Sequence, residues 1–306
     1  MASLDDTVAP YDLGGKVMLV TGSTDGIGRH TASRLAACGA RVLLHGRDKE
    51  RLQAAKEMVE RAAAAGGKGG SVGATFLGDL ADLGSTRALG QSVVEWVERE
   101  AGGKLDGVSQ NAGLFYIEGG RRETRDGMEE TFQTNVAALF VLNAMWLPLL
   151  NAAGLASGDA RLVNVASISH LDGGGILPLD NLQMRDCEYN GYHAYGFSKL
   201  AVVCLTYEMA ARGLLGPGTH ACTCDPGTVN TKMLLAGWGP CGIRVGDAND
   251  QLWMLGSPGL KGPWTAEDTP PYYVGRQARR SAPQTYDADA RSKLWTELER
   301  LTGVIY

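Results

Sequence analysis

Short apolar runs alternate along this chain with longer stretches in which apolar positions recur at helical spacing. Val17-Met18-Leu19-Val20-Thr21 is a continuous apolar run, as expected of a strand buried on both faces of a parallel sheet. Residues 27–38 then place Ile27, Ala32, Leu35 and Ala36 on one helical face, Gly39 ends that helix, and Arg41-Val42-Leu43-Leu44-His45 predicts a second strand. The alternation continues with a charged, alanine-rich helix over 48–65, a glycine-rich loop over 66–73 and a third strand at Thr75-Phe76-Leu77. An amphipathic helix over 83–100 carries Leu89, Val93, Trp96 and Val97 on one stripe, and Leu105 to Ser109 predict a fourth strand. A long helix is predicted over 128–150, nearly all apolar beyond Asn135, and then a fifth strand over 161–167. A helix over 193–212, a sixth strand over 219–224, a last strand at Tyr272-Tyr273-Val274 and a closing helix over 287–301 complete the pattern.

Strands that alternate with helices predict an α/β fold: one Rossmann-type domain with a doubly wound parallel sheet of about seven strands. Residues 1–14 read as a loosely held N-terminal arm and 15–306 as the single domain, with no internal repeat. Composition agrees, with 44% hydrophobic and 21% charged residues among 306. The net charge of −5 comes without a basic tract, which argues against nucleic acid as a partner. No apolar run approaches the roughly 20 residues of a membrane helix, so no membrane-spanning segment is expected. The first residues hold Asp5, Asp6 and Asp12 and no apolar stretch, unlike a secretory or transit peptide. Six cysteines without zinc or redox spacing read as free thiols in a reducing compartment, hence a cytoplasmic protein. The five histidines lack metal-ligand spacing, and no metal is expected.

Four features carry candidate chemistry. Thr21-Gly22-Ser23-Thr24-Asp25-Gly26-Ile27-Gly28 lies between the first strand and the first helix. Glycines there let the backbone turn tightly and approach a pyrophosphate, which then meets the N–H groups of the helix start. Asn135 sits in an otherwise apolar helix, where a buried amide needs a partner. Ser167 stands at the carboxyl end of the fifth strand, the edge at which open α/β sheets bind ligands, with Ser169 two residues on. Tyr195 and Lys199 are four residues apart on a helix, one turn apart on the same face, which sets a phenol beside an ammonium group. The cation is expected to lower the phenol's proton affinity.

The spacing Gly22-x-x-x-Gly26-x-Gly28 and the later motifs resemble the short-chain dehydrogenase/reductase family. The insertion between Ser167 and Tyr195 is similar in layout to the branch of retinol dehydrogenases and related carbonyl reductases. The resemblance implies a nicotinamide nucleotide cradled by Gly22, Ser23, Thr24, Asp25, Gly26, Ile27 and Gly28. Gly46 stands where an NAD-binding acid would be, and Arg47 can fork onto a 2′-phosphate, which favours NADP(H). Asp25, where some NADP-preferring relatives carry a basic residue, keeps NAD(H) as the alternative. Asp79 and Leu80 match the adenine-binding pair, and Asn111-Ala112-Gly113 the stretch past which the cofactor runs, with Gln110 a departure from the family's asparagine. Pro226, Gly227, Val229 and Thr231 match the loop that faces the nicotinamide, and residues of about 229–262 the substrate lid. Asn135, Ser167, Tyr195 and Lys199 match the catalytic set: hydride passes between cofactor and a small carbonyl or alcohol, Tyr195 exchanges the proton, Ser167 steadies the oxygen, and Asn135 anchors a proton relay. An apolar substrate and a homodimer or homotetramer are implied. The alternative is a catalytically weak sensor or scaffold of the same fold.

Overall fold

The computed structural model describes residues 10–174, 177–257, 260 and 270–306. One sheet runs through the molecule in the order β3-β2-β1-β4-β5-β6-β7-β8. Its strands are β1 (Val17–Val20), β2 (Arg41–Gly46), β3 (Ser71–Leu77), β4 (Gly107–Gln110), β5 (Ala160–Val165), β6 (Thr219–Asp225), β7 (Tyr272–Val274) and β8 (Gln277–Arg279). All pairings are parallel except that of β7 with β8.

Both faces of the central strands are buried, and alternate residues feed two cores. Leu19 and Leu43 pack in one core, Met18, Val20, Val42 and Leu44 in the other. The first core is covered by α3 (Leu83–Ala101), α4 (Ala138–Ser157), α5 (Gly191–Ala211) and α8 (Ala288–Thr302). The second is covered by α1 (Gly26–Ala37), α2 (Lys49–Gly66) and α7 (Asp250–Gly256). The short α6 (Lys232–Trp238) buries none of its residues. This is the doubly wound layout that the alternation predicts, with one strand more.

The differences have local causes. β3 begins at Ser71 inside the expected loop, and its register slips between Val42 and Leu43, leaving Gly73 as the extra residue. A Cβ on Gly73 would lie 2.9 Å from the Leu43 side chain and 3.0 Å from Trp96, so only glycine fits there. β8 is fully exposed and carries no apolar alternation to announce it. Gly275 and Arg276, both at positive φ, form the two-residue turn that folds it back on β7. The predicted long helix is interrupted: Glu130–Phe132 is followed by a π turn at Gln133–Ala137 before α4 begins.

The whole helical segment from Glu130 to Ser157, π turn included, is, against expectation, long and apolar enough to cross a membrane, but 72% of its most apolar window is buried inside the molecule. Of the expected N-terminal arm, residues 1–9 lie outside the described residues; Tyr11 and Leu13 are packed into the second core rather than loosely held. Residues 258, 259, 261 and 262 of the expected lid also lie outside them.

Candidate active site

The strand order reverses direction between β1 and β4, and the carboxyl ends of those strands open onto a cavity of about 420 Å³. The turn from β1 into α1 forms one wall. Gly22 and Gly26 have φ of +64° and +52°. A Cβ on Gly28 would lie 2.4 Å from both Asn111 Nδ2 and the Gly22 carbonyl oxygen, and one on Gly113 would lie 3.2 Å from Asn135 Oδ1. A bare backbone therefore faces the cavity where a pyrophosphate needs close approach, at the N-terminus of α1. Asn111 ties the wall together by donating to the Thr21 carbonyl at 3.1 Å and accepting from Gln251 at 3.0 Å. Gln110 reaches sideways to Asn143 at 3.0 Å, which absorbs its departure from the family's asparagine.

Thr24, Asp25, Ile27, Arg47, Asp79, Leu80, Ala112, Tyr195, Lys199, Pro226 and Thr231 line the same cavity together with these glycines. Ser23, Gly227 and Val229 stand off its wall. Ser23 is turned inward, its backbone N–H and Oγ donating to the His45 carbonyl at 2.9 and 3.2 Å. Gly227 turns at φ +84° with its N–H held by Asp225, and Val229 is buried and bridged to Ile243. Asp25 caps α1 and pairs with Lys232 at 2.8 Å, Arg51 at 3.0 Å and Arg29 at 3.6 Å. Burial would raise its carboxyl, but Lys232, the Gly26 N–H and Arg29 hold it below the usual carboxylate range. This end of the cavity thus carries several cations around one carboxylate.

At the other end the π turn aims Asn135 back under the cavity. Its Oδ1 accepts from Leu114 N at 2.8 Å, and its Nδ2 donates to the Leu114 carbonyl at 3.0 Å and to Ser198 Oγ at 2.9 Å. Ser198 in turn donates to the Tyr195 carbonyl at 2.7 Å. Tyr195 is buried, and desolvation pushes its phenol up to about 12; the nearby Ser167 hydroxyl pulls the other way, while Asp225 adds to the rise. Lys199 is fully enclosed, and burial brings its ammonium down to about 8 against the opposing pull of Cys224 and Asp225. Its Nζ donates to the Val165 carbonyl at 2.9 Å and lies 5.7 Å from the Tyr195 ring centre. The expected lowering of the phenol by the lysine is not what the structure shows: burial and Asp225 raise it, and Ser167 alone pulls it down.

Two histidines that the sequence did not mark support this geometry. His45 Nδ1 accepts from Gly22 N at 3.2 Å and its Nε2–H donates to the Gly78 carbonyl at 3.1 Å, which fixes a neutral tautomer and clamps the glycine turn to the end of β3. Burial takes its imidazole down to about 4. His170 Nε2 accepts from Ala282 N at 3.1 Å, and its Nδ1–H donates to the Ser167 carbonyl at 2.7 Å, tying the C-terminal segment to the serine. The only sequence signal of His45 was a polar residue at the carboxyl end of a strand; His170, in the 3-10 turn Ile168–Gly174, gave none. Among the described residues no group of three His, Cys, Asp or Glu could hold a metal ion.

Comparison with known proteins agrees with this fold. Residues 16–178 match the family model for short chain dehydrogenases. Human polyprenol dehydrogenase is 31% identical, covering 95% of this chain and 86% of the relative. Human retinol dehydrogenase 13 is 31% identical over 95% and 85% of the two chains. A crystal structure from Mycobacterium paratuberculosis has a TM-score of 0.73 at 25% identity and covers 97% of both chains. One from Escherichia coli CFT073, complexed with NADPH, has a TM-score of 0.60 at 25% identity over 80% and 92%. The chain belongs to the short-chain dehydrogenase family, in its retinol dehydrogenase-like branch, and is an NAD(P)-dependent oxidoreductase.

Proposed function

We propose that this protein reduces an apolar ketone or aldehyde with NADPH and runs the reverse oxidation of the alcohol at the same site. The carrying observation is the buried Tyr195 phenol, near Ser167 and with Lys199 Nζ 5.7 Å from its ring centre, lining the glycine-walled cavity. Bound NADPH supplies the hydride that adds to the carbonyl carbon. The Tyr195 hydroxyl gives its proton to the carbonyl oxygen as charge grows there, so carbonyl plus hydride plus proton becomes alcohol. A phenol that stays protonated to about 12 is the correct form for that donation. Ser167 donates a hydrogen bond to the same oxygen and holds it for attack. Lys199 places its charge near the phenolate left behind, and protons return from solvent. Asn135 fixes Leu114 and Ser198, and through them the two walls of the site. We also assign the substrate lid to residues of about 229–262 and, on the six free thiols, the protein to the cytoplasm.

The preference for NADPH rests on Gly46 and Arg47. A Cβ at Gly46 would lie 2.3 Å from Thr24 Cγ2, so an acid that binds the ribose hydroxyls would require the Thr24 side chain to shift, and exposed Arg47 lines the cavity beside it. The NADPH complex of the Escherichia coli neighbour supports the same choice. The names of the relatives, polyprenol and retinol dehydrogenases, support a large apolar substrate. A panel of carbonyl compounds followed by NADPH fluorescence tests the activity, and Arg47→Ala tests the cofactor. The variant should raise KM for NADPH by roughly tenfold or more and leave NADH kinetics within about twofold, as loss of one charge-assisted contact predicts. Equal loss with both cofactors would remove Arg47 from the 2′-phosphate site.

A further inference from the structure

Tyr195 carries an aromatic cluster that the hydride chemistry does not require. The Phe115 ring lies 5.0 Å from the Tyr195 ring, stacks on Trp238 at 4.9 Å and 19°, and meets Tyr192 edge-on at 5.2 Å. Tyr192 also meets Trp238 edge-on, at 5.4 Å and 81°. Tyr192 and Tyr195 are three residues apart on α5 and share a face.

The cluster has one fixed side and one loosely held side. Phe115 follows Leu114, whose N–H and carbonyl are both bonded to Asn135. Trp238 ends α6, a helix with no buried residue, and is 43% exposed. Its segment is held by the stack, by the Tyr192 hydroxyl donating to the Gly237 carbonyl at 3.0 Å, and by the Lys232–Asp25 pair at 2.8 Å. Gly237 allows the approach: a Cβ there would lie 2.8 Å from Phe115 Cε1. A large indole left that exposed gains little from burial, and its stack on Phe115 is an interaction that a ligand ring can replace at equal strength.

We propose that Phe115, Tyr192 and Trp238 form a specificity gate that selects carbonyl substrates with a flat aromatic face, such as aryl aldehydes and aryl ketones. The substrate ring takes the place of Trp238 against the fixed Phe115 face, with the Tyr192 edge beside it, and α6 moves outward as a unit. The carbonyl group then lies beside Tyr195, next to Phe115. A puckered aliphatic ring of the same size offers equal apolar area but neither a flat face for Phe115 nor a complementary quadrupole for the Tyr192 edge. The selection rests on Tyr195 as the reacting group, and the test below separates failure of the gate from failure of that reading.

The test compares 2-naphthaldehyde with decahydro-2-naphthaldehyde, in wild type, Trp238→Ala, Trp238→Leu and Phe115→Leu. Binding to the NADP⁺-loaded protein is read as the part of tryptophan quenching that Trp238→Leu removes, and turnover as NADPH consumption. The wild type should favour the aromatic aldehyde in kcat/KM. Phe115→Leu should reduce that preference by roughly three- to tenfold, the equivalent of one aromatic contact, through KM rather than kcat, whereas Trp238→Ala, which removes the ring that both substrates must displace, should lower KM for both aldehydes and keep the preference. Equal turnover of both aldehydes in wild type, or a ratio unchanged in Phe115→Leu, overturns the gate and leaves the carbonyl reductase reading intact. Trp238-dependent binding of 2-naphthaldehyde without turnover of either compound supports the gate and removes that reading. Absence of both Trp238-dependent binding and turnover overturns the gate as well.

Discussion

Lys199 has lost the solvation that gives lysine its ordinary basicity, and its ammonium titrates near 8 rather than 10.5. Between those values the unfolded chain holds a proton that the native chain releases, so stability rises with pH through that window. At neutral pH the buried charge costs on the order of a few kcal/mol. Lys199→Met should therefore raise the melting temperature at pH 7 by several degrees or so, lose most of that gain at pH 10, and still cost about 100-fold or more in turnover. Melting curves at the two pH values check it; a lower melting temperature at both contradicts it. His45 is the second case. Its native value near 4 lies below the unfolded 6.5, so the contribution of this neutral histidine is present above 6.5 and lost as pH falls toward 4. His45→Gln, which keeps a donor for the Gly78 carbonyl, should flatten the fall in denaturant midpoint between pH 7 and pH 5. An unchanged slope would place the acid sensitivity elsewhere. Motif spacing made Tyr195, Lys199 and Ser167 visible, because the pairing needs residue types in order. The raised phenol was not visible, since the balance of burial against charge depends on what surrounds both groups.

The glycine turn and the π turn are the elements that shape the cavity. Gly28→Ala would set a Cβ 2.4 Å from the Asn111 amide and the Gly22 carbonyl, both fixed by other bonds. It should weaken NADPH binding by roughly tenfold or more, measured by fluorescence titration, and lower the melting temperature, since the backbone must shift to make room. Retained affinity would show that the turn does not hold the pyrophosphate. The turn was legible because three glycines in a strand-to-helix connection have few other uses. The π turn at Gln133–Ala137 was legible only as an asparagine out of place: period counting saw one apolar helix through Asn135, and the local widening aims the amide at Leu114 and Ser198. β8 left no pattern, since pairing to β7 through backbone groups alone asks nothing of its side chains.

At the scale of the molecule, the strand order brings residues from distant parts of the sequence to one edge. Gly22 follows β1, Asn111 follows β4, Ser167 follows β5 and Pro226 follows β6, all at carboxyl ends. That topology was readable from alternating buried strands and helices, because a parallel sheet requires a crossover between its strands. The face proposed to receive substrate was not: Phe115, Tyr192 and Trp238 come from one loop and the ends of two helices, whose approach no periodicity encodes. The central claim is that Tyr195 transfers the proton in a site that binds NADPH independently of it. The direct measurement is Tyr195→Phe, with NADPH affinity by fluorescence titration and turnover on a carbonyl that the wild type reduces. The account predicts affinity within about threefold of wild type and turnover lower by roughly 10²- to 10⁴-fold, the scale of a lost general acid. Turnover within about tenfold of wild type would contradict it.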